Sequence, residues 1–359
     1  MTSLAATIRD RIRRFGPIPV AEFMALALAH PEHGYYRTRD PLGAAGDFVT
    51  APEISQMFGE LIGLWCAVEW QRAGSPAPVN LVELGPGRGT LMADALRAAR
   101  TMSAFRDALR IHLVETSKPL RDRQRQTLAG IDATWHETLD GVPPGPLLLV
   151  ANEFFDALPV RQYVLSGGQW RERLVGLDGD TLRFVADDRP AAEAIGFPEA
   201  TRAAPDGAVF ERSPASLALA AAIGGRIARD GVAALIIDYG PARSAAGESL
   251  QAVRGHEFHD VLADPGDVDL TAHVDFESLG RAAIESGAAV FGPITQGTLL
   301  SRLGIEARAE RLAAGTGPET AQAIDAARRR LIGGDGMGTL FKALALVRPG
   351  LDAPAGFED

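Results

Sequence analysis

The chain has 359 residues, 46% hydrophobic and 23% charged, enough apolar material for one large α/β domain or two smaller ones. Its 46 acidic residues outnumber 36 basic ones, and the formal charge of −10 argues against a nucleic-acid-coating role. A single cysteine, Cys66, excludes an internal disulfide framework and a cysteine-based zinc cluster, no apolar run approaches the ~18 residues a membrane span needs, and mean hydropathy is near zero at +0.02.

Near the N-terminus, Arg9, Arg11, Arg13 and Arg14 are interrupted by Asp10 and followed by no apolar core. Leu4, Ile8 and Ile12 therefore read as the stripe of a short amphipathic helix rather than as part of a targeting peptide. With no export signal and one cysteine, the expected compartment is a reducing cytoplasm. Gly16-Pro17-Ile18-Pro19 ends that helix and Val20 to Ala29 starts another. A loop rich in glycine and aromatics runs from Gly34 to Pro52. Glu53 to Gln71 then reads as one long helix, with Ile54, Met57, Phe58, Leu61, Leu64 and Trp65 on its packing stripe.

From Val79 the pattern changes. Short apolar runs (Leu81 to Leu84, Ile111 to Val114, Leu147 to Val150, Leu235 to Ile237) alternate with helical stretches at Leu91 to Arg100 and Leu120 to Leu128. Continuous apolar strands of this kind predict an α/β fold with a mostly parallel sheet and helices on both faces. Tyr163 to Val185 instead alternates with period two around Gly167-Gly168 and Asp178-Gly179-Asp180, an antiparallel insertion. Ala307 to Arg330 reads as helix and Leu340 to Val347 as a last strand. The expected organisation is an N-terminal helical cap with a covering loop over 1–75, a core over 76–160 and 231–350 with a C-terminal helical addition, and an insertion over 161–230.

The informative segment is Glu83-Leu84-Gly85-Pro86-Gly87-Arg88-Gly89, where a strand ends, glycines bring the backbone close to a ligand, and a helix begins near Thr90. The next apolar run ends at Glu115, an acid placed to hold ribose hydroxyls. The glycine spacing is G-x-G-x-G rather than G-x-G-x-x-G, and Glu115 lies 28 residues beyond Gly87 instead of the ~20 of a dinucleotide fold. Glu83 would repel a pyrophosphate, yet it suits a cofactor whose amino-acid tail is cationic. The electrostatics favour S-adenosyl-L-methionine over NAD.

The Glu-x-Gly-x-Gly-x-Gly pattern resembles the first motif of class I S-adenosylmethionine-dependent methyltransferases. Three further stretches, Gly46 to Gln56 (GDFVTAPEISQ), Asn152 to Val160 (NEFFDALPV) and Val268 to Phe276 (VDLTAHVDF), make the resemblance specific to the MidA family. Its mitochondrial members are protein-arginine methyltransferases that assist respiratory complex I assembly. The resemblance runs from about Ile18 to Val347 and implies a Rossmann-like class I methyltransferase sheet. It implies that Gly85, Gly87 and Gly89 border the methionine part of the cofactor, that Glu83 meets its ammonium and that Glu115 holds the ribose. Asp47, Thr50, Ser55 and Asn152 complete the implied cofactor set. Trp135 and His136 either flank adenine or simply pack.

For the acceptor, the resemblance implies an arginine of a partner protein, with a complex I subunit as the expected substrate and a homodimer left open. Arginine remains protonated in proteins, so bringing it to a sulfonium calls for carboxylates. Asn152-Glu153 follows an apolar run and emerges at the same sheet edge as Gly85. Glu153 is the expected substrate-orienting carboxylate, with Asp156 or Asp238 assisting. Asp156 has the alternative of capping the following segment, and Asp238-Tyr239-Gly240 that of a plain turn. His256, His259 and His273 with nearby acids read as substrate contacts or structural hydrogen-bonders rather than a metal site, since no sustained helix aligns them. His30, His33 and His112 read as locally satisfied histidines. Competing readings are a methyltransferase with another acceptor, a non-catalytic assembly factor that binds the cofactor, and a dehydrogenase.

Overall fold

The computed structural model describes residues 3–38, 49–255 and 257–358. Seven strands form its principal sheet: β1 (Val79–Leu84), β2 (Leu109–Val114), β3 (Ala133–His136), β4 (Leu147–Asn152), β5 (Ala233–Tyr239), β6 (Ala289–Thr295) and β7 (Phe341–Val347), in the order β6-β7-β5-β4-β1-β2-β3. The neighbours β1–β2, β2–β3, β1–β4 and β4–β5 are parallel. Only β7 is reversed, pairing antiparallel with both β5 and β6. The predicted mostly parallel sheet is therefore present, and both its faces are buried. Leu81, Val150, Leu235, Ile237 and Ala343 share one apolar cluster with Phe58, Trp65 and Met92 of the helices Gln56–Arg72 and Thr90–Ala99. The alternate residues Val82, Leu149, Ile236 and Leu344 are also buried. That double burial is why the strands read as unbroken apolar runs.

By compactness the chain divides into two units. The sheet belongs to the unit of Val49–Phe155, Ala220–Gly240 and Leu279–Asp359. The other unit comprises Met1–Phe48, Asp156–Leu219 and Pro241–Ser278. It holds an antiparallel sheet of Ile18–Pro19, Arg161–Ser166, Gln169–Asp178, Thr181–Pro190 and Val209–Arg212, and a three-stranded sheet of Gln251–Arg254, Glu257–His259 and Asp269–Thr271. Its helix Leu4–Phe15 buries Leu4, Ile8 and Ile12, as their spacing predicts. The helices Leu4–Phe15 and Val20–Ala29 thus group with the antiparallel strands, whereas the helix Gln56–Arg72 groups with the principal sheet.

Two predicted helices are each broken once. Glu53 to Gln71 is not continuous: Ser55 adopts an extended backbone between the helices Ala51–Ile54 and Gln56–Arg72, and its Oγ accepts the Met57 N–H at 3.3 Å as an N-cap. Leu64 leaves the expected stripe and is 41% exposed, while Ile62, Cys66 and Ala67 are buried. This helix is apolar nearly all round, so no single stripe describes it. Ala307 to Arg330 is two helices, Ile305–Ala313 and Pro318–Ile332, the second opening on a proline at its first position.

Candidate active site

The carboxyl end of β1 runs into Gly85, Gly87 and Gly89 with φ of 60°, 54° and 81°, and the helix Thr90–Ala99 follows. Side chains rarely adopt these left-handed angles, so the glycines allow a turn tight enough to bring the backbone close to a ligand. Gly85 N–H extends the β1–β2 ladder to the Val114 carbonyl at 3.0 Å, while Gly89 N–H closes the turn on the Pro86 carbonyl at 2.7 Å. The Phe154 ring covers it: a Cβ on Gly85 would stand 2.6 Å from Phe154 Cδ2.

Glu83, one residue before the end of β1, is 3% exposed, and its Oε2 has no hydrogen-bond partner among the described residues. Burial pushes this carboxyl up to about 8, with the Met92 backbone amide pulling the other way. A buried carboxylate oxygen without a donor calls for a cation. Asn152, the last residue of β4, is also buried, and its Oδ1 likewise lacks a partner among the described residues. Glu83 pairs with Val150 across β1–β4, so Asn152 lies two residues further toward the strand ends. Side chains alternate along a strand, which puts Glu83 and Asn152 on the same face.

Glu153 follows directly. Its φ of 50° is rare for a non-glycine residue and marks a strained strand exit. Its Oε1 accepts the Ala51 N–H at 2.8 Å and the Asn152 Nδ2 at 3.1 Å, and its own N–H reaches the Ile237 carbonyl at 2.9 Å. Asp238 at the end of β5 is fully buried. Its Oδ2 accepts the N–H groups of Phe154 (3.1 Å) and Phe155 (2.9 Å), and Oδ1 that of Tyr239 (2.9 Å). Asp238 therefore fixes the turn that carries Glu153 and Phe154.

Glu115 lies at the end of β2, where Ser117 N–H binds Oε1 at 2.7 Å and Gln124 Nε2 lies 3.3 Å from Oε2. Burial raises its pKa, opposed by the amide of Ser117 and by Gln124. Gln124 also donates to the Gly87 carbonyl at 2.8 Å and accepts from Trp135 Nε1 at 2.8 Å. One fully buried side chain thus joins the glycine turn, the acid at β2 and the tryptophan at β3. Trp135 packs through this bond and beneath Arg125, whose guanidinium carbon lies 5.0 Å from its ring centre. His136 Nε2 is 2.9 Å from His112 Nδ1, and His112 Nε2 is 3.1 Å from Asn80 Oδ1.

The remaining predicted residues divide as follows. Thr50 precedes the helix Ala51–Ile54 as its N-cap position, and Ser55 spends its hydroxyl capping the next helix. Asp47 and His256 lie outside the described residues. Asp156 belongs to the other unit, where its carbonyl accepts the Ala272 N–H at 3.0 Å. Tyr36 in that unit donates to Asp269 Oδ2 at 3.1 Å, and burial with the charges of Asp269 and Asp156 raises its hydroxyl's pKa. His259 turns Nδ1 toward the Asp260 carbonyl at 3.1 Å, a local contact. Asp275 accepts the N–H of Ser278 in the first turn of the helix Phe276–Glu285, and Ser244 Oγ also donates to it. Sequence reasoning overlooked Phe154 and Gln124. Gln124 had a signal, since it interrupts the stripe Leu120-Gln124-Leu128 with a polar residue at helical spacing.

A sheet with one reversed strand, a glycine turn after its first strand and an acid at the end of the next define a class I S-adenosylmethionine-dependent methyltransferase. Residues 61–294 match the family model described as "Putative S-adenosyl-L-methionine-dependent methyltransferase". The chain is 39% identical to the protein arginine methyltransferase NDUFAF7 homolog, mitochondrial, of Drosophila melanogaster, over 96% of this chain and 84% of that protein. It is also 39% identical to the human mitochondrial protein arginine methyltransferase NDUFAF7, over 86% and 75% of the two chains. A COG1565 superfamily member from Burkholderia thailandensis, crystallised with S-adenosyl-homocysteine, superposes with a TM-score of 0.85 at 30% identity, covering 99% of this chain and 94% of that one. The chain belongs to the MidA family.

Its cofactor is S-adenosylmethionine, and the residues present fit it. The partnerless carboxylate oxygen of Glu83 matches an ammonium, and the glycine turn at positive φ, packed under Phe154, tolerates no side chain at Gly85. One expectation is corrected. The curated relatives are named as mitochondrial proteins, so the cytoplasmic compartment does not stand. A lone cysteine separates oxidising from reducing surroundings but not one reducing compartment from another.

Proposed function

We propose that the methyl acceptor is an arginine side chain of a partner protein, a respiratory complex I subunit by family resemblance, and that Glu153 orients it. The observation that carries this reading is Glu153 itself, held at a φ of 50° just beyond β4, with its carboxylate anchored by Ala51 and Asn152. The names of the relatives, protein arginine methyltransferases, support the acceptor class.

When bound, the cofactor supplies an electrophilic methyl group on a positively charged sulfur. Everything else falls to the chain. Glu83 would hold the ammonium of the methionine part, the turn Gly85 to Gly89 its carboxylate side, and Glu115 the ribose. Asp238 keeps the Phe154–Phe155 turn in place, and Phe154 closes over Gly85. The Glu153 carboxylate offsets the charge of a guanidinium, turns one of its nitrogens toward the methyl, and stands ready for the proton released when that nitrogen gains it. Fixing the acceptor side chain against the bound cofactor would supply much of the remaining acceleration.

The test combines tritiated-methyl S-adenosylmethionine with partner proteins, mass spectrometry to locate the label, and a comparison of Glu153→Gln with wild type. Label on arginine is expected, with turnover of the variant down by about 10²–10³-fold and S-adenosylhomocysteine affinity within about threefold. Label on another residue type, or full turnover in the variant, would overturn the reading.

A further inference from the structure

The Asn152 amide has one fixed orientation. Its Nδ2 donates to Glu153 Oε1 at 3.1 Å, and a flipped amide would set two oxygens against each other. The oxygen left over, Oδ1, is buried and partnerless among the described residues, in a side chain whose residue is only 8% exposed. Leaving such an acceptor unmade costs about 1–3 kcal/mol, so it calls for a hydrogen-bond donor.

The reactants bring two N–H donors to this edge of the sheet, the cofactor's ammonium and the acceptor nitrogen, while the ribose hydroxyls fall to Glu115. Position and charge separate them. Glu83 lies two residues deeper along the shared face, roughly 7 Å nearer the sheet interior, and carries the charge an ammonium needs. Asn152 sits at the very end of β4 beside Glu153, and its neutral oxygen orients a donor without offsetting charge. We propose that Asn152 Oδ1 accepts a hydrogen bond from the acceptor nitrogen itself, and that Asn152 and Glu153 together select a planar donor with several N–H groups, a guanidinium, over a freely rotating ammonium. A guanidinium presents neighbouring N–H groups in one plane, which two adjacent oxygens can hold at once. An ammonium gains nothing from that plane. The inference rests on the arginine reading above and adds a residue and a basis for selectivity.

The test uses S-adenosylhomocysteine and two aza analogues of it, with nitrogen in place of sulfur, one carrying a propylguanidinium arm and the other a propylammonium arm. Their affinities for wild type and Asn152→Ala are measured by calorimetry, with Asn152→Ser as the second variant should the first lose its thermal unfolding transition. Wild type is expected to favour the guanidinium compound by about tenfold. Asn152→Ala should lose that preference while binding S-adenosylhomocysteine within about threefold of wild type. A preference that survives in the variant overturns the inference and leaves the arginine reading standing. A parallel loss for all three compounds assigns Asn152 to the cofactor and also overturns it. No preference in wild type overturns the arginine reading, and the inference with it.

Discussion

The Phe154 ring occupies the space a side chain at Gly85 would take: a Cβ there would meet Phe154 Cδ2 at 2.6 Å, on a backbone already at a φ of 60°. The strand end of β4 thereby limits what the turn after β1 accepts. Gly85→Ala combines backbone strain with this clash. We expect a loss of about 1–3 kcal/mol in stability and at least tenfold weaker S-adenosylhomocysteine binding, read by denaturant unfolding and calorimetry. Unchanged affinity would show that the turn does not shape the cofactor site.

Glu83 makes cofactor binding depend on pH. Its folded-state pKa of about 8 lies above the ordinary carboxylate value of about 4.3. The folded chain without cofactor therefore holds a proton that the unfolded chain releases, and this group's contribution to stability falls as pH rises from about 4.3 to about 8. A cationic ammonium favours the ionised form, so S-adenosylhomocysteine should bind more tightly as pH rises toward about 8, with proton release. Calorimetry in buffers of different ionisation enthalpy measures that release. Glu83→Gln should abolish it and weaken binding about tenfold or more.

The buried His112 carries the opposite sign. Burial, His136 and Arg226 lower its pKa to about 4, against about 6.5 when unfolded. Between these values the unfolded chain binds the extra proton, so stability present above about pH 6.5 is lost as pH falls toward about 4. The full swing is on the order of 3 kcal/mol. Urea unfolding at several pH values should show a shallower slope for His112→Gln than for wild type.

Glu60 is 8% exposed and receives Arg97 Nε at 3.1 Å and Arg308 Nε at 2.7 Å, tying the helices Gln56–Arg72, Thr90–Ala99 and Ile305–Ala313 together. Glu60→Ala removes the Glu60 bonds of both guanidinium groups, although Arg97 keeps Asp94 at 2.7 Å. A loss of about 2–3 kcal/mol is expected, with S-adenosylhomocysteine affinity unchanged in the folded fraction. A chemical-denaturation midpoint equal to wild type would remove the clamp from the stability account.

Local chemistry along the chain was sufficient for the buried strands, the glycine turn and the placement of the acids at 83 and 115 near strand ends, but not for the half-buried edge strands Ala133–His136 and Ala289–Thr295. A doubly buried strand is apolar along most of its length, and a tight turn at positive φ favours glycine, so both leave a mark that needs no neighbours to read. The same holds for Leu4, Ile8 and Ile12, whose spacing alone defines a buried stripe. Helix Gln56–Arg72 already escaped this logic, because a helix apolar all round carries no periodicity and its break at Ser55 is a matter of capping. The division of labour among the carboxylates was decided in three dimensions. Asp238 and Glu153 look alike as acids at strand ends, yet Asp238 spends its oxygens on three backbone amides while Glu153 is aimed by a strained backbone. Which oxygen finds a donor depends on residues tens or hundreds of positions away, and no local pattern encodes that.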